Sequence, residues 1–142
     1  MQIPWQGWAL LSAFFAGLTA LFAKIGVDDL PSSYATLLRT FIILMIVAGL
    51  WFAAGAPFAN PFTSGKAVTA LVLSGAATSL SWLCYFKALK IGDAVRVAPL
   101  DKMSVVFVAI FGVVFLGERL DAKGWVGTGL IVAGAVLVAF RR

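Results

Sequence analysis

The chain has 142 residues, 62% of them hydrophobic and only 12% charged, and its mean hydropathy is +1.02. A water-soluble domain carries about 45–50% apolar and about 25% charged residues, so an ordinary soluble fold is excluded. The net charge of +5 comes from basic residues scattered between apolar runs, not gathered into a stripe that would follow a nucleic-acid backbone.

A helix that crosses a bilayer needs about 20 apolar residues. The sequence supplies five such runs, predicted at about 4–24, 34–54, 67–89, 94–116 and 124–140, so residues 1–142 read as one all-α, polytopic membrane domain. No basic residue precedes the first run and no small-x-small cleavage site follows it, so it reads as a retained span and not a secretory signal. Asp28-Asp29-Leu30-Pro31-Ser32-Ser33 supplies a turn, with either serine available to cap the second helix. The second span carries Arg39 and ends at Gly55. The segment from Ala56 to Gly65, with Pro57, Asn60 and Pro61, is a loop whose Phe58 and Phe62 suit the headgroup region. The link Lys90-Ile91-Gly92-Asp93 is short enough to make the third and fourth spans antiparallel neighbours. Within the fourth, Pro99 removes a helix hydrogen bond and predicts a kink. The fifth span follows Gly117 to Lys123, and its Gly127/Gly134 and Gly129/Ala133 spacings suit close helix contact. Arg141 and Arg142 close the chain at the interface.

Five spans put the termini on opposite sides of the membrane. With Arg39, Lys87 and Lys102 set aside as intramembrane, five basic residues lie toward the C-terminal side and three, Lys66, Arg119 and Lys123, toward the other. The positive-inside rule then places the N-terminus out and the C-terminus in.

The polar residues inside the spans are the candidates for function. There is no histidine and one cysteine, Cys84, so neither a thiolate cluster nor a nucleophile–base pair can be assembled, and no catalytic residue, metal or cofactor is predicted. On the third span Ser74, Thr78, Ser81 and Tyr85 fall at helical spacing on one face, with Trp82 beside them. The first span repeats the pattern with Trp8, Ser12, Phe15 and Thr19. Such hydroxyls either bond back to their own helix or line a cavity for a modest amphipathic solute. Arg39, Lys87, Asp101 and Lys102 share the C-terminal-side half and form a candidate polar gate. Asp101 is too short to reach the surface from the fourth span and is expected to face protein or water. It is expected either to form a structural ion pair with Lys87, Arg39 or Lys102 or to contact substrate, and it is a candidate for carrying a proton where burial raises its pKa.

Trp82-Leu83-Cys84-Tyr85-Phe86-Lys87-Ala88-Leu89-Lys90-Ile91-Gly92-Asp93-Ala94, then Val97-Ala98-Pro99-Leu100, resembles the helix 3–4 hairpin of EamA-type proteins in the drug/metabolite transporter superfamily. Leu116-Gly117-Glu118, followed by Gly124 and the glycine-spaced fifth span, extends the resemblance over the whole chain. The family's usual architecture is ten helices in two inverted repeats around a central cavity. The resemblance therefore implies half of such a transporter, with helices one, three and four lining the path. Related small multidrug transporters carry a glutamate in helix one, and no acid occurs in the first apolar run here.

One repeat needs a counterpart, because alternating access uses two units around a shared site. The expected partners are the lipid bilayer of the inner membrane, a small-molecule substrate, and a second copy as an antiparallel homodimer or a related five-helix chain, with no nucleic acid. The competing expectation is a non-transporting accessory protein that stabilises another membrane complex.

Overall fold

The computed structural model describes residues 4–55, 57 and 64–140. Arg141, Arg142, Phe58 and Phe62, which the sequence assigns to the membrane surface, lie outside the described residues. Six helices and no strand occur among those described: α1 (Trp5–Asp29), α2 (Ser32–Ala53), α3 (Gly65–Ile91), α4 (Ala94–Asp101), α5 (Ser104–Phe115) and α6 (Ala122–Ala139). With α4 and α5 taken together as Ala94–Phe115, five segments are long and apolar enough to cross a membrane.

The helices outrun the apolar stretches that announce them. α1 continues through Asp28 and Asp29, residues the sequence assigned to a turn, and stops ahead of Pro31. Charge ends a membrane span but does not end a helix; a proline does, by biasing the residue before it out of the helical region. Neither Ser32 nor Ser33 caps α2. Pro31 occupies the cap position at φ −58°, and its carbonyl accepts the Ala35 amide at 2.9 Å. Ser64 precedes α3, and its hydroxyl accepts the Ala67 amide at 3.4 Å; Asp121 caps α6, its carboxylate accepting the Gly124 amide at 2.8 Å.

The chain divides into two compact units, residues 25–90 and residues 1–24 with 91–142. In the first, Val27, Ala35, Thr36, Phe86 and Leu89 are buried, with Val27 and Leu89 fully so. The α1 carbonyls of Val27 and Asp28 both accept hydrogen bonds from the Lys90 ammonium at the end of α3. A helix leaves its last carbonyls without partners, and a cation there also meets the negative end of the helix dipole.

In the second unit α6 packs against α4 and α5, with Ala135 and Ala139 buried. Arg96 repeats the arrangement made by Lys90: its Nε donates to the Ala139 carbonyl at 2.8 Å and closes the end of α6. Gly117 adopts φ +68°, and the Gly112 carbonyl accepts both the Leu116 and Glu118 amides at 3.1 Å, which ends α5. A side chain at Gly112 would come within 2.8 Å of the Glu118 carboxylate, so the acid lies folded against its own helix end. At Gly127, Gly129 and Gly134 an added side-chain carbon would meet nothing within 4 Å. The close contact expected of those glycines, within the chain or across a dimer, is not made within the described residues of the chain.

The kink expected at Pro99 is a full interruption. Lys102 donates to the Pro99 carbonyl at 3.1 Å and Met103 to Leu100 at 3.0 Å, while Val105 and Val106 bond Lys102 and Met103 at 3.1 and 3.0 Å. All four bonds span three residues where an α-helix spans four, so the chain tightens for one turn. Pro99 has no amide to offer and its ring crowds the carbonyl one turn back, which makes this the weak point of the span.

Candidate substrate path

α3 carries the longest polar surface. From Ser74 to Tyr85 the face runs about 16 Å at 1.5 Å per residue. Ser74, Thr78 and Ser81 are exposed and Tyr85 and Trp82 half-buried. Five other hydroxyls, in α2, α3 and α6, bond back one turn along their own helix. Thr36 donates to the Ser32 carbonyl and Thr40 to that of Thr36, both at 2.8 Å, and Thr69 to Gly65 at 2.9 Å. Ser79 donates to Gly75 at 2.9 Å and Thr128 to Gly124 at 3.0 Å. Among the described residues, the hydroxyls of Ser74, Thr78 and Ser81 make no hydrogen bond. An unpaired hydroxyl in a lipid-exposed position costs about 1–3 kcal/mol on protein scales. Three in a row on one face therefore call for water, a solute or a partner chain.

Next to this face, in the same unit, stands Arg39 of α2. Its guanidinium carbon lies 4.2 Å from the centre of the Trp82 ring and 5.5 Å from that of Phe86, which is 4 residues further along α3. Tyr85 stands next to Phe86, their ring centres 6.4 Å apart. An arginine at the centre of a span costs about 2.5–3.5 kcal/mol, and each aromatic face offsets about 0.5–2 kcal/mol of that. Among the described residues Arg39 makes no ion pair and no hydrogen bond, and no buried nitrogen or oxygen atom lacks a partner, so its nitrogens keep accessible surface. Lys87 is exposed on the neighbouring face of α3.

The other unit holds the remaining candidates. Asp101 and Lys102 sit on the interrupted turn between α4 and α5, with Nζ to Oδ2 at 3.4 Å and side chains 37% and 61% exposed. Asp101 is thus open, not sealed in dry contacts, and Lys102 is its partner of the three cations the sequence offered. Trp8 and Ser12 are exposed on α1, and Thr19 is half-buried. No group of three or more potential metal ligands occurs among the described residues. Sequence reasoning did not anticipate Lys90 and Arg96 as helix caps. Their partners are the ends of other helices, and no local spacing reveals that. Around Arg96 there is a depression of about 270 Å³, lined by Gly92, Asp93, Leu100, Ala139 and Phe140 among others.

Comparison with known proteins gives a consistent picture. The sequence profile described as "EamA-like transporter family" matches residues 3–140. A protein of Sinorhizobium sp. named "Uncharacterized transporter in cobO 3'region" is 55% identical over 139 residues, covering 98% of this chain and 99% of that one. A Brucella anthropi protein named "Riboflavin transporter" is 28% identical over 141 residues, covering 94% of this chain but only 46% of that protein. This chain therefore spans about half of the Brucella protein and nearly all of the Sinorhizobium one. No solved structure matches.

Proposed function

The chain belongs to the EamA-like transporter family, and we propose that it is one half of a cytoplasmic-membrane transporter, completed by a second copy, that moves a small organic solute along the hydroxyl face of α3. The observation that carries this reading is the contrast on α3: Ser79 bonds its own backbone, while Ser74, Thr78 and Ser81 are left with donors and acceptors to offer.

Helices one, three and four would line the path, as the family resemblance implies. Trp8, Ser12 and Thr19 are the contributions of α1 to that path, and Asp101 with Lys102 forms a polar gate on the interrupted turn after Pro99. The open glycine positions of α6 suit contact with the second copy. The charge asymmetry favours an N-terminus outside and a C-terminus inside. A dual-inserted pair or a related partner of opposite orientation would complete the inverted architecture.

The test is counterflow into liposomes containing only the purified chain. Because a distant and longer relative is named a riboflavin transporter, radiolabelled riboflavin is one tracer, beside small organic acids and amines. Saturable uptake of at least one tracer is expected. A complete lack of flux, with co-purification of one larger membrane protein, would instead fit the accessory reading.

A further inference from the structure

Arg39 is placed as a recognition group would be. It stands within the membrane-spanning part of α2, yet its guanidinium carbon lies 4.2 Å from the centre of the Trp82 ring and 5.5 Å from that of Phe86. Among the described residues the guanidinium makes no hydrogen bond or ion pair and its nitrogens keep accessible surface, so N–H donors remain for another acceptor. In residues 25–90 the only acids are Asp28 and Asp29 at the end of α1, and Arg39 pairs with neither among the described residues. Lys87 and Lys90 add positive charge at the same end of α3, and Lys90 is committed to the α1 carbonyls. A guanidinium beside aromatic rings, with donors to spare and no carboxylate partner among the described residues, matches a planar or tetrahedral oxyanion in bidentate fashion. Arg39 also flanks the C-terminal-side end of the hydroxyl face, since Trp82 follows Thr78 and Phe86 follows Trp82 by one helical turn each.

We propose that Arg39, held by Trp82 and Phe86 with Tyr85 alongside, is the anion-recognition point of the path, so that the carried solute is an organic anion bearing a carboxylate or phosphate on a body able to meet aromatic rings. This rests on the transport reading given above and specifies its substrate class. The hydroxyls of Ser74, Thr78 and Ser81 then serve the uncharged remainder of the solute. The rings hold the cation in place and present a flat wall to an aromatic or sugar-like body.

The test uses the full chain in detergent without added phospholipid, with tryptophan fluorescence as the readout. The probes are phenylacetate, phenyl phosphate and the neutral phenylacetamide. Wild type is expected to bind at least one of the two anions ten times or more tightly than the amide, and the stronger anion identifies the preferred group. Arg39→Gln is expected to bring that ratio to about one while amide affinity stays within twofold. Arg39→Lys keeps the charge without the planar fork and is expected to weaken the anion three- to tenfold. Equal affinity of wild type for anion and amide, failure to bind either anion, or a preference that survives Arg39→Gln would overturn the proposal. Displacement of bound anion by phosphatidylglycerol but not by excess phenylacetate would assign Arg39 to a lipid headgroup and overturn it too. Binding is read without vesicles, so this result is separable from transport. Flux of neutral tracers with no anion preference removes only the present proposal, whereas anion binding without flux removes the transport reading.

Discussion

At the scale of single residues, a membrane protein distinguishes its polar groups by what they already bond. Ser79 and Ser81 are two residues apart on α3 and differ in this respect: Ser79 donates to the Gly75 carbonyl, and Ser81 bonds nothing among the described residues. If the free hydroxyls contact solute, Ser81→Ala or Thr78→Val will lower flux about tenfold, the loss of roughly 1.4 kcal/mol of hydrogen bonding. Ser79→Ala will stay within twofold. Initial rates in proteoliposomes at matched protein density decide between them, and equal loss from both positions would refute the distinction. Glycines divide in a similar way. A side chain at Gly124 would meet Leu120 Cδ1 at 2.5 Å and Cγ at 2.7 Å, while one at Gly129 would meet open space. Gly124→Ala should therefore destabilise by about 1–3 kcal/mol through overpacking at the start of α6. Gly129→Ala should be neutral or slightly stabilising, because alanine favours the helix; thermal unfolding in detergent measures both. The hydroxyl stripe was legible from spacing alone, but which hydroxyls bond back was not, because that depends on rotamers. Arg39 was legible as an intramembrane charge. Its seat on Trp82 was not, since that pairing joins two helices that are distant in sequence.

Among the elements, the five spans were readable because apolar runs of about 20 residues have no other stable place. Helix ends were less readable. Asp28 and Asp29 remain helical, and Pro31 instead of a serine occupies the cap position of α2, because backbone geometry and not polarity sets a terminus. The interruption after Pro99 is the element with the clearest mechanical consequence. Its four three-residue bonds join α4 and α5 through a turn outside the α-helical ladder, and Asp101 and Lys102 sit on it. Pro99→Ala restores the missing donor and removes the ring clash, which together disfavour a helix by about 3 kcal/mol. The variant is expected to unfold at higher temperature and to transport several-fold more slowly. Stabilisation with unchanged turnover would mean that the break plays no part in gating.

For the molecule as a whole, the chain matches its family over residues 3–140 and covers only 46% of the Brucella transporter, so it corresponds to one half of the larger arrangement. Exposed hydroxyls on a helix with this hydropathy are stable only if water, solute or another chain meets them. Everything proposed about a path follows from that requirement. The direct measurement is thiol accessibility in native membranes. With Cys84, the sole native cysteine, replaced by alanine, single cysteines are placed at Ser74 and Ser81 on the hydroxyl face and at Leu73 and Leu80 on the apolar one. All four positions are exposed in the isolated chain. A water-soluble, charged thiol reagent should modify the two serine positions at least ten times faster than the two leucine positions. Equal protection of all four, or faster reaction at the leucines, would contradict an aqueous path along α3.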